Sequence, residues 1–322
     1  MPGFITHYLF GSTTYPQITH NTTRNLIAQS RGAYGLGLQG PDIFFYFLPS
    51  YLIHKKNLGS ITHDYDTNLF FRNLIGSLTL FSNPKYKKIA QAYILGFLGH
   101  YCLDLTCHPY VYARTNYTHP SQSYSSRHMT LETDIDKELL SYYKNLLPSQ
   151  FIKTDTIRLS QKELHVISLM LNYAFSHTYH HLFCSYQMIH SAISSMRLGL
   201  NLLKDTSGKK KVWVRNIEKY ITGYAAISPM IPSNSLTYYT DCCNLRKRTW
   251  SNPWDTSIQR NSSMYELIET ARTLYLEILE KAGCFFQNME HNDDNALLET
   301  LLATIGNHSY HSGLPAGKWT NL

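Results

Sequence analysis

The sequence predicts an all-α protein, on three observations. Apolar residues recur at three- and four-residue intervals along most of the chain, tracts alternating with period two are scarce, and Pro and Gly mark the joints between periodic stretches. In chain order, the spacing predicts helices over 20–30, 65–81, 85–108, 128–146, 160–205 with a break near 177–181, 212–224, 262–284 and 293–305. No strand is needed. The stretch from Gly35 to Pro41 reads as a loop entering Asp42, Asn116 to Ser126 as a polar loop, and Ser228 to Asp255 as a long irregular crossing rich in Pro, Ser, Asn and Trp. Pro109 is expected to end the helix over 85–108, with His108 in its last turn.

Composition sets the outer limits. Of 322 residues, 43% are hydrophobic and only 16% charged, which fits a folded chain with a large interior and excludes extended disorder. Residues 1–205 are expected to form a helical core, with 206–322 adding helices packed on the same domain. The net charge of +7 suits an anionic partner. The basic clusters at 55–56, 85–88, 209–211 and 246–248 are scattered, so they read as solvated surface and receive no function. The opening residues lack the basic and apolar regions of a signal peptide, no segment reaches about 18 uncharged apolar residues, and none reads as a membrane-lying amphipathic helix. The expectation is a cytoplasmic protein whose six cysteines, free of CxxC spacing, stay reduced.

Chemistry concentrates in the first 140 residues. His100, Asp104 and His108 lie four apart, which stacks two imidazoles and a carboxylate on one helical face otherwise rich in apolar residues. Leaving such groups unpaired there would carry a large desolvation cost. His128 and Glu132 repeat the i, i+4 spacing by which one helix presents two ligands to one ion. Upstream stand His7 in Thr6-His-Tyr-Leu, Asp42 in Gly40-Pro-Asp-Ile and His63 in Thr62-His-Asp-Tyr-Asp66.

This order of motifs resembles the zinc-dependent phospholipase C family: His, Asp after a loop, His-x-x-Asp, His-Tyr-x-x-Asp, a His beside Pro, then His-x-x-x-Glu. The resemblance implies a multi-helix bundle around a buried metal cluster, a fold shared with single-strand-specific zinc nucleases. It further implies up to three zinc ions and a metal-activated water that attacks an anionic phosphodiester, with phospholipid as the implied substrate. Carried over by residue, it makes Asp104 a carboxylate bridging two zincs, one also held by His63 and His100 and the other by His7. His108, His128 and Glu132 would hold the third, and Asp42 would be the general base. Secreted family members also ligate zinc through a processed N-terminus, for which this chain offers no matching lead-in before His7.

Other readings compete. His20 or His54 could stand in for His7 or His63, and Cys107 could add a thiolate. His177, His180, His181 and His190 form a second cluster without a nearby carboxylate, which suits helix-interface hydrogen bonds better than metal. The Trp250 to Asp255 stretch fits a packed loop anchor better than a pocket cap. At the level of function, soluble phosphodiesters or single-stranded nucleic acid could occupy the same site. A metal phosphohydrolase centred on His63-Asp64 and a non-enzymatic, zinc-stapled binding protein are the remaining alternatives.

Overall fold

The computed structural model describes residues 3–47, 49, 56–117, 123–180, 182–289 and 294–319. Its α-helices are α1 (Phe4–Thr14), α2 (Asn21–Gln29), α3 (Arg31–Gly37), α4 (Leu58–Asp64), α5 (Thr67–Gly76), α6 (Pro84–Arg114), α7 (Tyr124–Lys144), α8 (Gln161–Thr178), α9 (Tyr186–Leu202), α10 (Lys210–Thr222), α11 (Met264–Asn288) and α12 (Asp294–Ile305). A 3₁₀ segment, Gly40–Tyr46, follows α3 and carries Asp42. The described strands are β1 (Trp250–Asn252) and β2 (Asp255–Arg260), an antiparallel pair within the long crossing.

Helix α6 is the axis of the bundle. It starts cleanly, with the Asn83 side chain accepting from Lys85 N and Pro84 in the first turn, where its missing N–H costs nothing. From Ala90 to Tyr112 it is buried on nearly every face, the signature of a helix surrounded by others. Helices α1, α3, α8 and α11 pack around it, and in the shared core Phe71 meets Phe70 and Phe97 edge-on. Backbones approach closely where α3 crosses α6: a Cβ on Gly37 would lie 2.3 Å from Tyr93 O, and one on Gly96 would lie 2.2 Å from Tyr34 O.

Several expectations need correction. The glycines at 35 and 37 do not make a loop; they lie within or at the end of α3 and serve close packing. Pro109 does not end α6, which runs five residues further, to Arg114, so His108 sits inside the helix. The ring of Pro109 faces Gly313 and the fold simply forgoes one helical hydrogen bond there. Besides α3, the helices α1 and α4 were not anticipated, and they carry His7 and His63. Both are short and buried along most of their length, so the three- to four-residue alternation that betrays a surface helix is weak. The stretch 65–81 resolves into α5 and a 3₁₀ turn, Ser77–Leu80, and 160–205 into α8 and α9. A small hairpin also exists where no strand was expected.

After α12 the chain returns across the mouth of the bundle. Tyr310 N donates to His63 O at 2.8 Å, Gly317 N to Asp64 O at 3.1 Å and Asp66 N to Gly317 O at 2.9 Å. The tail is thereby pinned over the end of α4.

Candidate metal centre

Asp104 lies at the centre of the buried groups. Its Oδ1 is 3.2 Å from His7 Nε2, and its Oδ2 is 3.2 Å from His63 Nε2 and 3.0 Å from His100 Nε2. All four side chains are completely buried. Asp42 reaches the same point from the 3₁₀ segment, with Oδ1 at 3.6 Å from His63 Nε2 and 3.8 Å from His100 Nε2. The His7 ring stacks on His100 at 4.2 Å. Gly40 makes room for this: its φ is +50°, and a Cβ there would collide with the His100 ring at 2.4 Å.

Backbone carbonyls aim the rings. Since a carbonyl only accepts, His63 Nδ1 donates to Gly59 O at 2.6 Å, His100 Nδ1 to Leu38 O at 3.2 Å and His108 Nδ1 to Tyr310 O at 2.7 Å. Each neutral imidazole is left with its lone pair on Nε2. Those three Nε2 atoms, like both oxygens of Asp104, are buried with no hydrogen-bond partner among the described residues. Lone pairs packed about 3 Å from a carboxylate repel it, and the repulsion becomes attraction when a cation sits between them. Ligands about 2.1 Å from a tetrahedral ion stand about 3.4 Å apart, close to the spacing found here. The residues therefore fit a bound divalent metal.

A second group forms one turn along α6. His108, His128 and Glu132 offer donor atoms within 4.8 Å of one another, as do the sets His63, His100, Asp104 and His7, Asp42, His100. His128 Nε2 is 2.8 Å from Glu132 Oε1, and its Nδ1 is 3.0 Å from the Tyr124 hydroxyl. Burial pushes the pKa of His108 and of His128 down, so both rings favour the neutral, ligating form. Burial also raises Asp42, a push that the His100 ring opposes and the negative charge of Asp104 reinforces. For Asp104 burial acts upward too, yet any positive charge shared by the His100, His108 and His7 rings outweighs it and draws the carboxyl well below the usual carboxylate range, the pull that a cation held between neutral rings would also exert. One carboxylate is thus kept as an anion and its neighbour is tuned to accept a proton.

The groups open onto a cleft of about 480 Å³, whose wall includes Asp42, His128, Glu132, Tyr112 and His311. His311 was missed in the sequence. It arrives on the C-terminal tail, donates from Nδ1 to Asp64 Oδ1 at 2.9 Å, and stacks on His63 at 5.1 Å. Asp136 was missed as well. From α7 it accepts from Ile5 N, Thr6 N and Thr6 Oγ1 at 3.1, 2.8 and 2.7 Å, so it caps the first turn of α1, one residue before His7.

The competing residues do not converge. His20 lies against α11 beside Glu280 and Cys284, remote from Asp104. Burial drives the Cys107 thiol far up, so it stays protonated, and it joins none of the candidate groups. His177 and His180 are exposed and His190 is partly so, outside any such group; His54 and His181 lie outside the described residues. Asp64 turns to His311 and Ser309 rather than to the site of convergence, which leaves no His63-Asp64 centre. Trp250 is an anchor, donating to Ser262 O, while Trp254 packs edge-on against Tyr112.

A helical chain that folds around a carboxylate-centred histidine cluster at the floor of a cleft has the build of a metal-dependent hydrolase. The zinc dependent phospholipase C family model matches residues 6–229, and the chain belongs to that family. No curated protein and no solved structure matched the chain. The tail that brings Tyr310 and His311 falls outside the matched residues.

Proposed function

We propose that the protein is a zinc-dependent phosphodiesterase that cleaves phospholipids in the manner of a phospholipase C. The observation that carries this reading is the set of three imidazoles, each locked by a carbonyl at Nδ1 and each directing an unpartnered Nε2 toward the Asp104 cluster or the adjoining His128–Glu132 pair. Bound zinc supplies Lewis acidity there, polarising phosphoryl oxygens and activating water. In this assignment His63, His100 and Asp104 hold one ion, His7 and Asp104 a second, and His108, His128 and Glu132 a third. Asp104 would be shared by two ions, since its two oxygens face different imidazoles.

Asp42 takes the proton of the attacking water. Its side chain lines the cleft, its basicity is raised by burial, and it stands beside the imidazoles rather than at their centre. Tyr112 and Tyr124 give the cleft an aromatic wall against which the substrate's apolar portion packs. A structural zinc staple would be closed; the open cleft at His128 and Glu132 favours an enzyme over that alternative. The free state of all six cysteines supports a reducing, cytoplasmic location.

The test combines metal counting with turnover of phosphatidylcholine dispersions, single-stranded oligonucleotides and a water-soluble aryl phosphodiester. Zinc-dependent release of diacylglycerol supports the assignment. Faster cleavage of oligonucleotide moves the substrate to nucleic acid, and full activity after complete zinc removal rejects the metal mechanism.

A further inference from the structure

Helix α10 is inverted. The residues it turns inward are largely charged, with Lys211 only 1% and Glu218 8% exposed, while the face it turns outward is apolar. Trp213 is 68% exposed, Tyr220 92% and Ile221 72%, and Val212 and Ile217 belong to the same outward set. Ile217 follows Trp213 by four residues, and Tyr220 and Ile221 follow Ile217 by three and four, so they share one face. The end of α9 adds exposed Leu198 and Leu202, and Lys210 Nζ bonds to Leu202 O and Lys204 O across the α9–α10 turn, which keeps the two ends together. An outward apolar surface of this extent on a protein otherwise able to bury its apolar residues marks an interaction site.

Charge selects the partner. Between Lys204 and Ile227 the acidic residues are Asp205 and Glu218, and both are buried. Asp205 accepts from the backbone of Ser207, Gly208 and Lys211, and Glu218 from Ile227 and Ser228. The exposed charge around the apolar face is therefore positive, carried by Lys204, Lys209 and Lys219. Trp and Tyr among aliphatic residues, ringed by lysine, is the chemistry of a helix lying in an anionic lipid interface. The surface also adjoins the cleft: Met196 of α9 and Met230, in the 3₁₀ turn packed under α10, both line its wall.

We propose that α10 and the end of α9 form a membrane-docking surface that seats the cleft on an anionic phospholipid bilayer. The proposal rests on the phospholipase reading for its meaning and names the substrate as membrane lipid rather than a soluble diester. It also assigns a role to the Lys209–Lys211 run, in which Lys209 faces the lipid and Lys211 anchors the helix beneath, against the Tyr238 ring.

The test is flotation of the zinc-loaded protein with vesicles of phosphatidylcholine mixed with phosphatidylglycerol, and with phosphatidylcholine alone. It is run for the native chain, for a triple variant Trp213→Ser, Tyr220→Ser, Ile221→Ser, and for Lys204→Gln, Lys209→Gln, Lys219→Gln. The native chain is expected on the anionic vesicles. The apolar variant should bind at least about tenfold less, and the lysine variant roughly fivefold less per lysine, with its loss reproduced by added salt. All substituted side chains are on the outward face or in solvent, so circular dichroism and turnover of a water-soluble phosphodiester should match the native protein. Native chain that stays off anionic vesicles, or variants that float as well as it does, overturn the proposal. Concentration-dependent self-association abolished by the apolar variant, without flotation, assigns the surface to a second copy and overturns it equally. Flotation without turnover of any phosphodiester would leave docking standing while the enzymatic reading fell, so the two fail separately.

Discussion

The two halves of the metal centre are built differently. Around Asp104 the donors come from four separate segments, α1, the Gly40–Tyr46 turn, α4 and α6, and His63 and His100 are each aimed there by a backbone carbonyl. Around His128 and Glu132 two of the three donors come from one turn of α7, the His128 ring is held by the Tyr124 hydroxyl and both side chains face the cleft, while the third donor, His108 of α6, is aimed by the Tyr310 carbonyl. A carbonyl in a helix or turn cannot move without unfolding its element, whereas a tyrosine hydroxyl swings on its ring. The difference teaches that the inner half is fixed by the fold itself, while the outer half adds to one ring fixed that way, His108, a pair set by side chains, which suits a permanent charge platform beside an adjustable, substrate-facing site.

The largest effect that can break this comparison is expected from Asp104→Asn. Asn offers one neutral oxygen where the native carboxylate offers two anionic ones to three imidazoles. Two metal ions should leave together and activity should fall below detection, while the ion at His108, His128 and Glu132 stays. Metal analysis by mass spectrometry reads this directly; a loss of one ion or none would show that Asp104 does not bridge. Asp42→Asn comes next. Turnover is expected to drop by ~10²–10⁴ with zinc content unchanged, the effect of removing a general base. Because Asp42 also offers a carboxylate oxygen within 4.8 Å of donor atoms of His7 and His100, the alternative is definite: zinc loss in proportion to activity would make Asp42 a ligand.

The outer half should respond more gently. Tyr124→Phe removes the hydroxyl that fixes His128 Nδ1 and leaves the ring in place. Loss of such an orienting partner costs about 10–100-fold in metal affinity. A competition titration with a zinc indicator should show one weakened ion per chain and two unchanged. Equal weakening of all ions would erase the distinction between the halves.

How much of this was legible in the sequence follows the same physical divide. The i, i+4 steps from His100 to Asp104 and from His128 to Glu132 lie within single helices, so periodicity alone brought each pair to one face. His7, Asp42 and His63 could be joined to them only through a resemblance, because the helices or turns that carry them are short and buried and give no amphipathic signal. His311 and the Tyr310 carbonyl could not be found at all. The Tyr310 carbonyl is 202 residues from His108 on α6 and His311 is 247 from Asp64 on α4, both in a tail without regular structure, and a carbonyl that aims a histidine leaves no trace in residue identity. The outward face of α10 escaped for the opposite reason. Its pattern is that of an ordinary amphipathic helix, and only burial reveals that the apolar side is the wet one.

The smallest of the expected effects tests whether the inner half is fixed by its fold alone. Asp136 reaches from α7 to accept three hydrogen bonds from the start of α1, including the amide of Thr6, the neighbour of His7. Burial raises its pKa and these bonds oppose the rise; at neutral pH the carboxylate meets the positive end of the α1 dipole. Asp136→Asn keeps the shape but replaces one accepting oxygen with an amide that donates toward amides already donating. The cost should be about 1–3 kcal/mol of stability, the range for leaving buried donors unsatisfied. Only the ion nearest His7 should weaken, since His63, His100 and the α7 pair are aimed by other bonds. Chemical denaturation measured with and without chelator separates the two contributions. A stability loss confined to the zinc-loaded protein would mean that Asp136 acts only through the metal; a loss in both forms, larger with zinc bound by the share of the weakened ion, would mean that it caps α1 and positions His7 whether or not metal is bound, as the geometry predicts.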